Sequence, residues 1–404
     1  MQQAPIPAHV PPNLVHSIAR YQTPSTEADP YLITSDVHER LPRVFFTTDW
    51  SPLYPKGAWV VTRYEDIRNV YQTDELYSTK DAANFHALVG ETFPMIPLAI
   101  DPPEHGKYRI LLNPWFSPKA IKELEAKITA ITNDLIDQFA DKGEADAAYD
   151  YGRIYPVLVF LDLMGFPRDK LEEFLTWEYA ILHSFGDVEK VRFGIGSAIK
   201  YLRGFIEETK RNPANNLTSH IVHGQVEGRP LTEDEIIGMV TFLWLGGLDT
   251  VAATTSLMFR RLALEPHLQT QLRENPALIP SAIEEFMRVQ PLVNSIRHVI
   301  KDHEIHGAQV KTDDKIICFN VAGNFDAAEF ERPREVVLDR SPNRHFTLSG
   351  GPHRCLGSHL ARRELGIALE QFLKRIPPFR YKPGADQKAY PGLIAAPRVP
   401  LVWD

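Results

Sequence analysis

At 404 residues the chain is long enough to bury a substantial core, whether as one large helical domain or as several smaller ones. Apolar residues make up 44% and charged residues 24%, as in ordinary soluble globular proteins, and a net charge of −8 without a basic tail argues against nucleic acid as the main partner. Two cysteines exclude a disulfide framework, no stretch approaches the roughly 18 to 20 uninterrupted apolar residues of a membrane span, and the proline-rich start has no charged segment leading into an apolar run. These features predict a soluble, cytoplasmic protein in a reducing compartment with no membrane segment.

In chain order, residues 59–67 (WVVTRYEDI) read as a short strand running into a helix, part of a small sheet. Two prolines, Pro102 and Pro103, then stop regular structure, and His105 and Arg109 follow on one face of the next helix. Ser117 and Pro118 are suited to cap and open a long amphipathic helix, in which Ile121, Leu124, Ile128, Ile131 and Leu135 recur at helical spacing toward Gly143. Further helices are expected over residues 157–164, 169–182 and 197–210.

At Thr232 and Glu235 the spacing is that of a capping box, and an apolar pattern runs from there without proline to Pro266. This predicts one helix of roughly 33 residues, about 50 Å long. Its middle is unusual: Gly246 and Gly247 cost helix stability, and Asp249 and Thr250 place polar groups in an apolar segment. A helix over residues 278–289 brings Glu285 and Arg288 to one side, and residues 296–319 alternate like a hairpin turning at Gly307. An irregular loop then leads to Cys355. The reading is a single domain over residues 1–404, mainly α with a small β portion.

Of the two cysteines, Cys318 sits in the apolar run KIICFNV and reads as a small buried hydrophobe. Cys355 differs. Residues 345–363, HFTLSGGPHRCLGSHLARR, put it in a glycine-rich turn just before an amphipathic helix, where backbone donors and the helix dipole favour a thiolate. By itself this suits a metal ligand or a nucleophile.

The combination of Gly246-Gly247-Leu248-Asp249-Thr250, Glu285 with Arg288, Asp339-Arg340, and Gly351, His353, Cys355 and Gly357 resembles the cytochrome P450 haem-thiolate monooxygenases over most of the chain. The later blocks, LGGLDTV, HLARRE and the terminal PLVWD, look particularly like the bacterial camphor 5-monooxygenase group. The resemblance implies the cytochrome P450 fold, with the long central helix crossing haem b, iron protoporphyrin IX. It makes Cys355 the axial iron ligand. Arg109, Arg297 and His353, with His105, would partner the haem carboxylates, and Asp249 and Thr250 would form the oxygen-activation pair at an opening by Gly246 and Gly247. Glu285, Arg288 and Arg340 would hold the loop that carries the cysteine.

The resemblance further implies O2 as co-substrate and electrons passed from NADH or NADPH through a reductase and a [2Fe–2S] ferredoxin. An acidic ferredoxin would meet Lys107, Arg109, Arg354, Arg362 and Arg363. Phe93, Phe242, Leu245, Leu292, Val293, Leu393 and Ile394 match pocket positions, and all are apolar. Two positions depart from the pattern. Leu348 stands where the family has phenylalanine seven residues before the cysteine, and Phe93 stands where the camphor enzyme has a substrate-binding tyrosine, which points to a terpenoid, an ionone-like molecule or a small aromatic. A peroxide-driven peroxygenase and a non-catalytic haem sensor or carrier are the rival readings.

Overall fold

The computed structural model describes residues 5–19, 25–50, 56–80, 82–184, 187–390, 392–393 and 395–404. They fall into two compact units, Met1–Lys80 with Pro280–Cys355 and Lys388–Ala395, and Asp81–Ile279 with Leu356–Gln387 and Ala396–Asp404.

The first unit is built on a five-stranded sheet in the order Val44–Thr47, Ala58–Val61, Lys315–Cys318, Ser295–Val299, Tyr77–Ser78. Neighbouring strands run antiparallel except Ala58–Val61 against Lys315–Cys318, which pair in parallel with Trp59 opposite Ile316 and Val61 opposite Cys318. The strand and helix expected over residues 59–67 are Ala58–Val61 and Tyr64–Gln72. The expected hairpin at Gly307 is His303–Ile305 paired with Ala308–Val310, and Gly307 has the positive φ of 85° that its turn needs. One sheet face packs Trp59, Val61, Ile316 and Cys318 against Tyr64, Ile67 and Tyr71 of the helix. Cys318 is fully buried, and burial pushes its thiol up to about 12, as befits a hydrophobe.

The helix Ile279–Val289 carries the organising polar group of this unit, the buried carboxylate of Glu285. It accepts from Arg288 Nε and Nη2, each at 2.8 Å, from Arg340 Nε, from Asn343 Nδ2 at 3.0 Å and from the Val337 amide at 2.9 Å. Arg288 spends its remaining donors on the carbonyls of Asn324, Pro333 and Glu335. Burial works against ionisation of Glu285, but the two guanidiniums and the amide outweigh it and hold the carboxyl below its ordinary value.

In the second unit the helix starting at Pro118 is capped by Ser117, whose Oγ accepts from the Ala120 amide at 3.3 Å. It ends at Ile136, short of Gly143, with a separate 3-10 turn at Ala140–Lys142 between them. The helices expected at 157–164 and 169–182 are Tyr155–Met164 and Leu171–Leu182. The one expected from residue 197 starts nine residues earlier and spans Val188–Arg211, because Asp187 caps the Lys190 amide and sets the start. A three-stranded sheet joins Phe379–Tyr381, Pro400–Trp403 and Glu144–Asp146.

The capping box at Thr232 and Glu235 is present with both reciprocal bonds. The single central helix expected from it is two, Glu233–Leu248 and Thr250–Leu264, interrupted at Asp249. The 32-residue segment is apolar and long enough to cross a membrane, but 72% of its most apolar window is buried in the molecule, so it is a core element.

The Glu285 network generates a stability prediction. Glu285→Ala leaves Arg288 and Arg340 uncompensated in the interior and is expected to cost about 3–5 kcal/mol in denaturant unfolding. The depressed carboxyl contributes stability above its unfolded pKa, which is lost as pH falls through the folded value. A loss under about 1 kcal/mol would make the network ornamental.

Candidate active site

The segment before Cys355 is held by side chains far away in sequence. The Phe346 amide donates to Asn324 Oδ1 at 2.8 Å, and its buried ring stacks on Tyr64 at 4.5 Å. The Thr347 hydroxyl donates to the Met287 carbonyl at 2.6 Å, tying the loop to the helix that carries Glu285. Beyond this anchor the chain turns through Ser349 and Gly351, both at positive φ. The Gly351 backbone passes so close to the Tyr71 carbonyl that a Cβ there would lie 1.9 Å from its oxygen. The Cys355 amide then donates back to the Leu348 carbonyl at 2.9 Å, closing the loop.

Cys355 is exposed and forms no disulfide. The helix Ser358–Arg375 starts three residues on, and no side chain caps its first amides. Position 348 serves the loop through its carbonyl, which leucine supplies as well as phenylalanine; the side chain itself is half-buried.

Of the four expected partners for haem carboxylates, Arg297 and His353 belong to the first unit and His105 and Arg109 to the second. Arg297 is only 4% exposed and lies over the Tyr71 ring at 5.2 Å. It donates a hydrogen bond to the Ile296 carbonyl of its own strand at 3.0 Å, and no carboxylate among the described residues pairs with it. His353 Nε2 sits 3.3 Å from the Thr79 hydroxyl. Burial and the neighbouring Arg109 charge lower the His105 imidazole to about 4, despite Asp101, so it is neutral near pH 7.

The central break shows how Gly246, Gly247, Asp249 and Thr250 divide their work. Gly247 is required by packing, because a Cβ would lie 2.4 Å from the Phe160 ring, whereas a Cβ on Gly246 would meet nothing within 4 Å. The open position is therefore Gly246 alone, a narrower opening than the pair expected. The Thr250 hydroxyl donates to the Gly246 carbonyl at 3.2 Å, the back-bond of a kink, and leaves its oxygen able to accept. Residues 238, 242 and 246 recur every fourth position along the first helix, and Thr250 continues that spacing at the start of the second. A Cβ on Gly238 would lie 2.1 Å from the Pro94 carbonyl and 3.6 Å from the Phe93 ring, so Phe93 packs at one end of the row that leads through Phe242 to Gly246 and Thr250.

Phe93 is buried and stacked on His86 at 4.5 Å, and Leu245 is buried beside half-exposed Phe242. In the first unit the Tyr31 hydroxyl donates to the Pro291 carbonyl at 2.6 Å and accepts from the Gly392 amide at 3.1 Å, which brings Leu292, Val293 and Leu393 together. Val293 is 44% exposed. Ile394 lies outside the described residues. Of the expected basic patch, Lys107 is paired with Glu104 and Glu227, and Arg363 with Glu125, which reduces the charge these two offer a partner.

Sequence reasoning missed the surroundings of Asp249. Its carboxylate occupies a helix N-cap position yet caps nothing, and instead accepts from His183 Nε2 at 3.2 Å. Glu178 Oε1 stands 3.6 Å from the same nitrogen. A signal existed: Glu178 lies one turn after Phe174 and three residues before Ile181, on the apolar stripe of its helix.

The cytochrome P450 family profile matches residues 188–391. "Probable cytochrome P450 127A1" of Sinorhizobium fredii is 35% identical over 99% of this chain and 97% of its own length. The mycinamicin IV hydroxylase/epoxidase of Micromonospora griseorubida is 31% identical over 87% of this chain and 91% of its own. Among solved structures, CYP101C1 superposes with a TM-score of 0.85 at 31% identity, covering 99% of this chain and all (100%) of that one. CYP101J2 gives the same TM-score of 0.85 at 29% identity over 99% of this chain and 100% of its own. The chain belongs to the cytochrome P450 family.

That family implies haem, and the residues present fit it. An exposed thiol is delivered by a locked loop, and Arg297 is a buried cation with no carboxylate against it among the described residues, an arrangement that is costly without an anion to pair it.

The loop geometry predicts a contrast between two glycines. Gly351→Ala combines a positive φ with the Tyr71 clash and is expected to lower stability by at least about 1–3 kcal/mol. Gly357→Ala, whose Cβ would meet nothing within 4 Å, is expected to melt close to the parent. Equal melting temperatures for the two variants would contradict the loop as described.

Proposed function

We propose that the whole chain acts as one cytoplasmic, class I bacterial monooxygenase that hydroxylates an unactivated C–H bond of a small apolar substrate. A terpenoid or ionone-like molecule, or a small aromatic, suits the apolar set of Phe93, Phe242, Leu245, Leu292, Val293, Leu393 and Ile394. Phe93 offers no hydroxyl to a ketone, so recognition rests on shape and burial. The reaction consumes one O2, two electrons and two protons for each alcohol and water formed. NADH or NADPH is the electron source, through a reductase and an acidic [2Fe–2S] ferredoxin attracted by basic side chains such as Arg109, Arg354 and Arg362.

Cys355 would hold haem by its thiolate, with Arg297, Arg109, His353 and His105 at the two carboxylates. Haem so bound supplies reductive oxygen activation, which thiolate ligation favours by pushing electron density toward O–O cleavage. The chain's own residues do the rest. Arg297 and Arg109 provide positive charge, whereas His105, neutral near pH 7, provides a hydrogen bond. The apolar residues exclude water from the substrate. Asp249 Oδ2 takes up protons, and the Thr250 hydroxyl holds and passes them beside open Gly246.

One observation supports this reading most. An acid and an alcohol interrupt a buried apolar helix, and the acid does no capping. A peroxide-driven enzyme would not need them, because peroxide brings its own protons and electrons.

The test is turnover with a [2Fe–2S] ferredoxin, its reductase and NADH, after a spectral screen of terpenoids, ionones and small aromatics for binding. Thr250→Ala is expected to keep consuming oxygen while product per O2 drops roughly tenfold or more and peroxide accumulates. Unchanged coupling would remove Thr250 from the mechanism. Peroxide-supported turnover equal to the ferredoxin-supported rate would make the protein a peroxygenase, and a haem-loaded protein that couples no electrons to product would make it a sensor or carrier.

A further inference from the structure

Two protons must reach Asp249 in each cycle if the proposed function holds, and the inference here rests on that reading. The carboxylate faces His183, the residue that ends the helix Leu171–Leu182, with Glu178 on the last turn of that helix. One polar atom from each of the three side chains lies within 4.8 Å of the others. Glu178 is 4% exposed, and its Oε1 is buried without a hydrogen-bond partner.

We propose that His183 is a proton-relay residue behind Asp249, its Nε2 passing a proton to Asp249 Oδ2 and recovering one from the carboxyl of Glu178. In the first transfer the N–H bond breaks and an O–H bond forms on Asp249, leaving a neutral imidazole. In the second, the O–H bond of Glu178 breaks and Nε2–H reforms, leaving Glu178 ionised. The net change is one proton moved from Glu178 to Asp249, with no electron transferred. Solvent then reprotonates Glu178.

Distances support a shared rather than a fixed proton. A settled charge-assisted bond is about 2.7–2.9 Å long. Nε2 stands at 3.2 Å from Asp249 Oδ2 and 3.6 Å from Glu178 Oε1, between the two, so a small ring movement switches its partner. The imidazole stacks face to face on Tyr179, centroids 4.9 Å apart and planes within 1°, which restrains tilting but permits in-plane sliding. The backbone amide of His183 closes the end of its helix on the Tyr179 carbonyl, where the dipole favours a cation.

The protonation states agree with these roles. Burial alone would lower the imidazole, but its hydrogen bond to Asp249 and the nearby Glu178 carboxyl raise it to about 10. Burial and the nearby Asp249 charge raise Glu178 to about 7, against the opposing pull of His183. At neutral pH the imidazole is therefore a donor, and the second carboxyl keeps a proton part of the time. A cation site on the same three residues is disfavoured, since a metal needs the nitrogen lone pair that this proton occupies.

Most charged groups on the elements packed around the cluster pair with one another. Asp162 pairs with Lys127 and Arg168, Lys170 with Glu173, Lys190 with Asp187, Arg192 with Glu189, and Lys210 with Glu207 and Glu233. Asp249 and His183 are the charges that act on Glu178.

The test uses the haem-loaded protein in two measurements. In a histidine-labelled sample, imidazole NMR is expected to show His183 cationic well above the ordinary histidine range, and Asp249→Asn to lower that titration. In turnover, the pH profile should show an alkaline limb above the ordinary carboxylate range as Glu178 loses its proton. Glu178→Gln, which keeps the shape, should slow coupled turnover roughly tenfold and abolish that limb while leaving substrate binding unchanged. His183→Gln should do the same. An ordinary His183 titration, or an unaltered pH profile in both variants while Asp249→Asn still slows turnover, would overturn the relay and leave the role of Asp249 intact. An inert Asp249→Asn would instead overturn the reading beneath it as well.

Discussion

The buried carboxylate of Glu285 is the constraint on which the first unit depends. An ionised carboxylate without water must have its lone pairs occupied, and here two guanidiniums, one amide side chain and one backbone amide occupy them. Those partners come from residues 288, 337, 340 and 343, so satisfying one charge also sets the path of the irregular chain that leads to the cysteine. The network does not touch Cys355. It orders the segment from which Phe346 and Thr347 take their anchors, and only the last few residues must then be held by glycine turns and the bond from Cys355 to Leu348. A thiol presented this way is placed by backbone anchors on the loop before it, which suits a metal ligand.

The central helix pair follows a different logic. Apolar packing on nearly every side makes it a core element, and such a helix has no structural use for Asp249. The threonine partly satisfies itself on the Gly246 carbonyl, but the aspartate must find a proton-bearing partner, and His183 is it. The break in the helix and the polar cluster behind it are therefore one feature. Partly exposed Asp249, a shared imidazole and the buried Glu178 are retained in a region where apolar residues would pack more cheaply.

Much of this was legible in the sequence wherever the signal is local. Ser117 and the Thr232 box mark helix starts because capping acts over three residues, and Cys318 reads as buried because its neighbours are apolar on both sides. Cys355 stands out because glycines and a helix start surround it. Non-local facts were not legible. The parallel pairing of Ala58–Val61 with Lys315–Cys318 joins segments some 250 residues apart, and no pattern within either names its partner. The early start of Val188–Arg211 depended on weighing Asp187 as a cap, and the interruption at Asp249 on a side chain that turns toward another helix instead of capping its own. Glu178 was overlooked because a single acid on an apolar stripe is visible as an anomaly, but its meaning appears only with His183 and Asp249 beside it.

The claim that bears most of the account is that the Cys355 thiolate ligates haem iron. The direct measurement is the absorption spectrum of the reduced carbon monoxide complex, taken for the parent and for Cys355→His. Ligation by Cys355 predicts the long-wavelength Soret band of a thiolate in the parent and its replacement by a shorter-wavelength band in the variant, with haem still bound. A parent protein that binds haem without the thiolate band, or a variant that keeps it, would contradict the account.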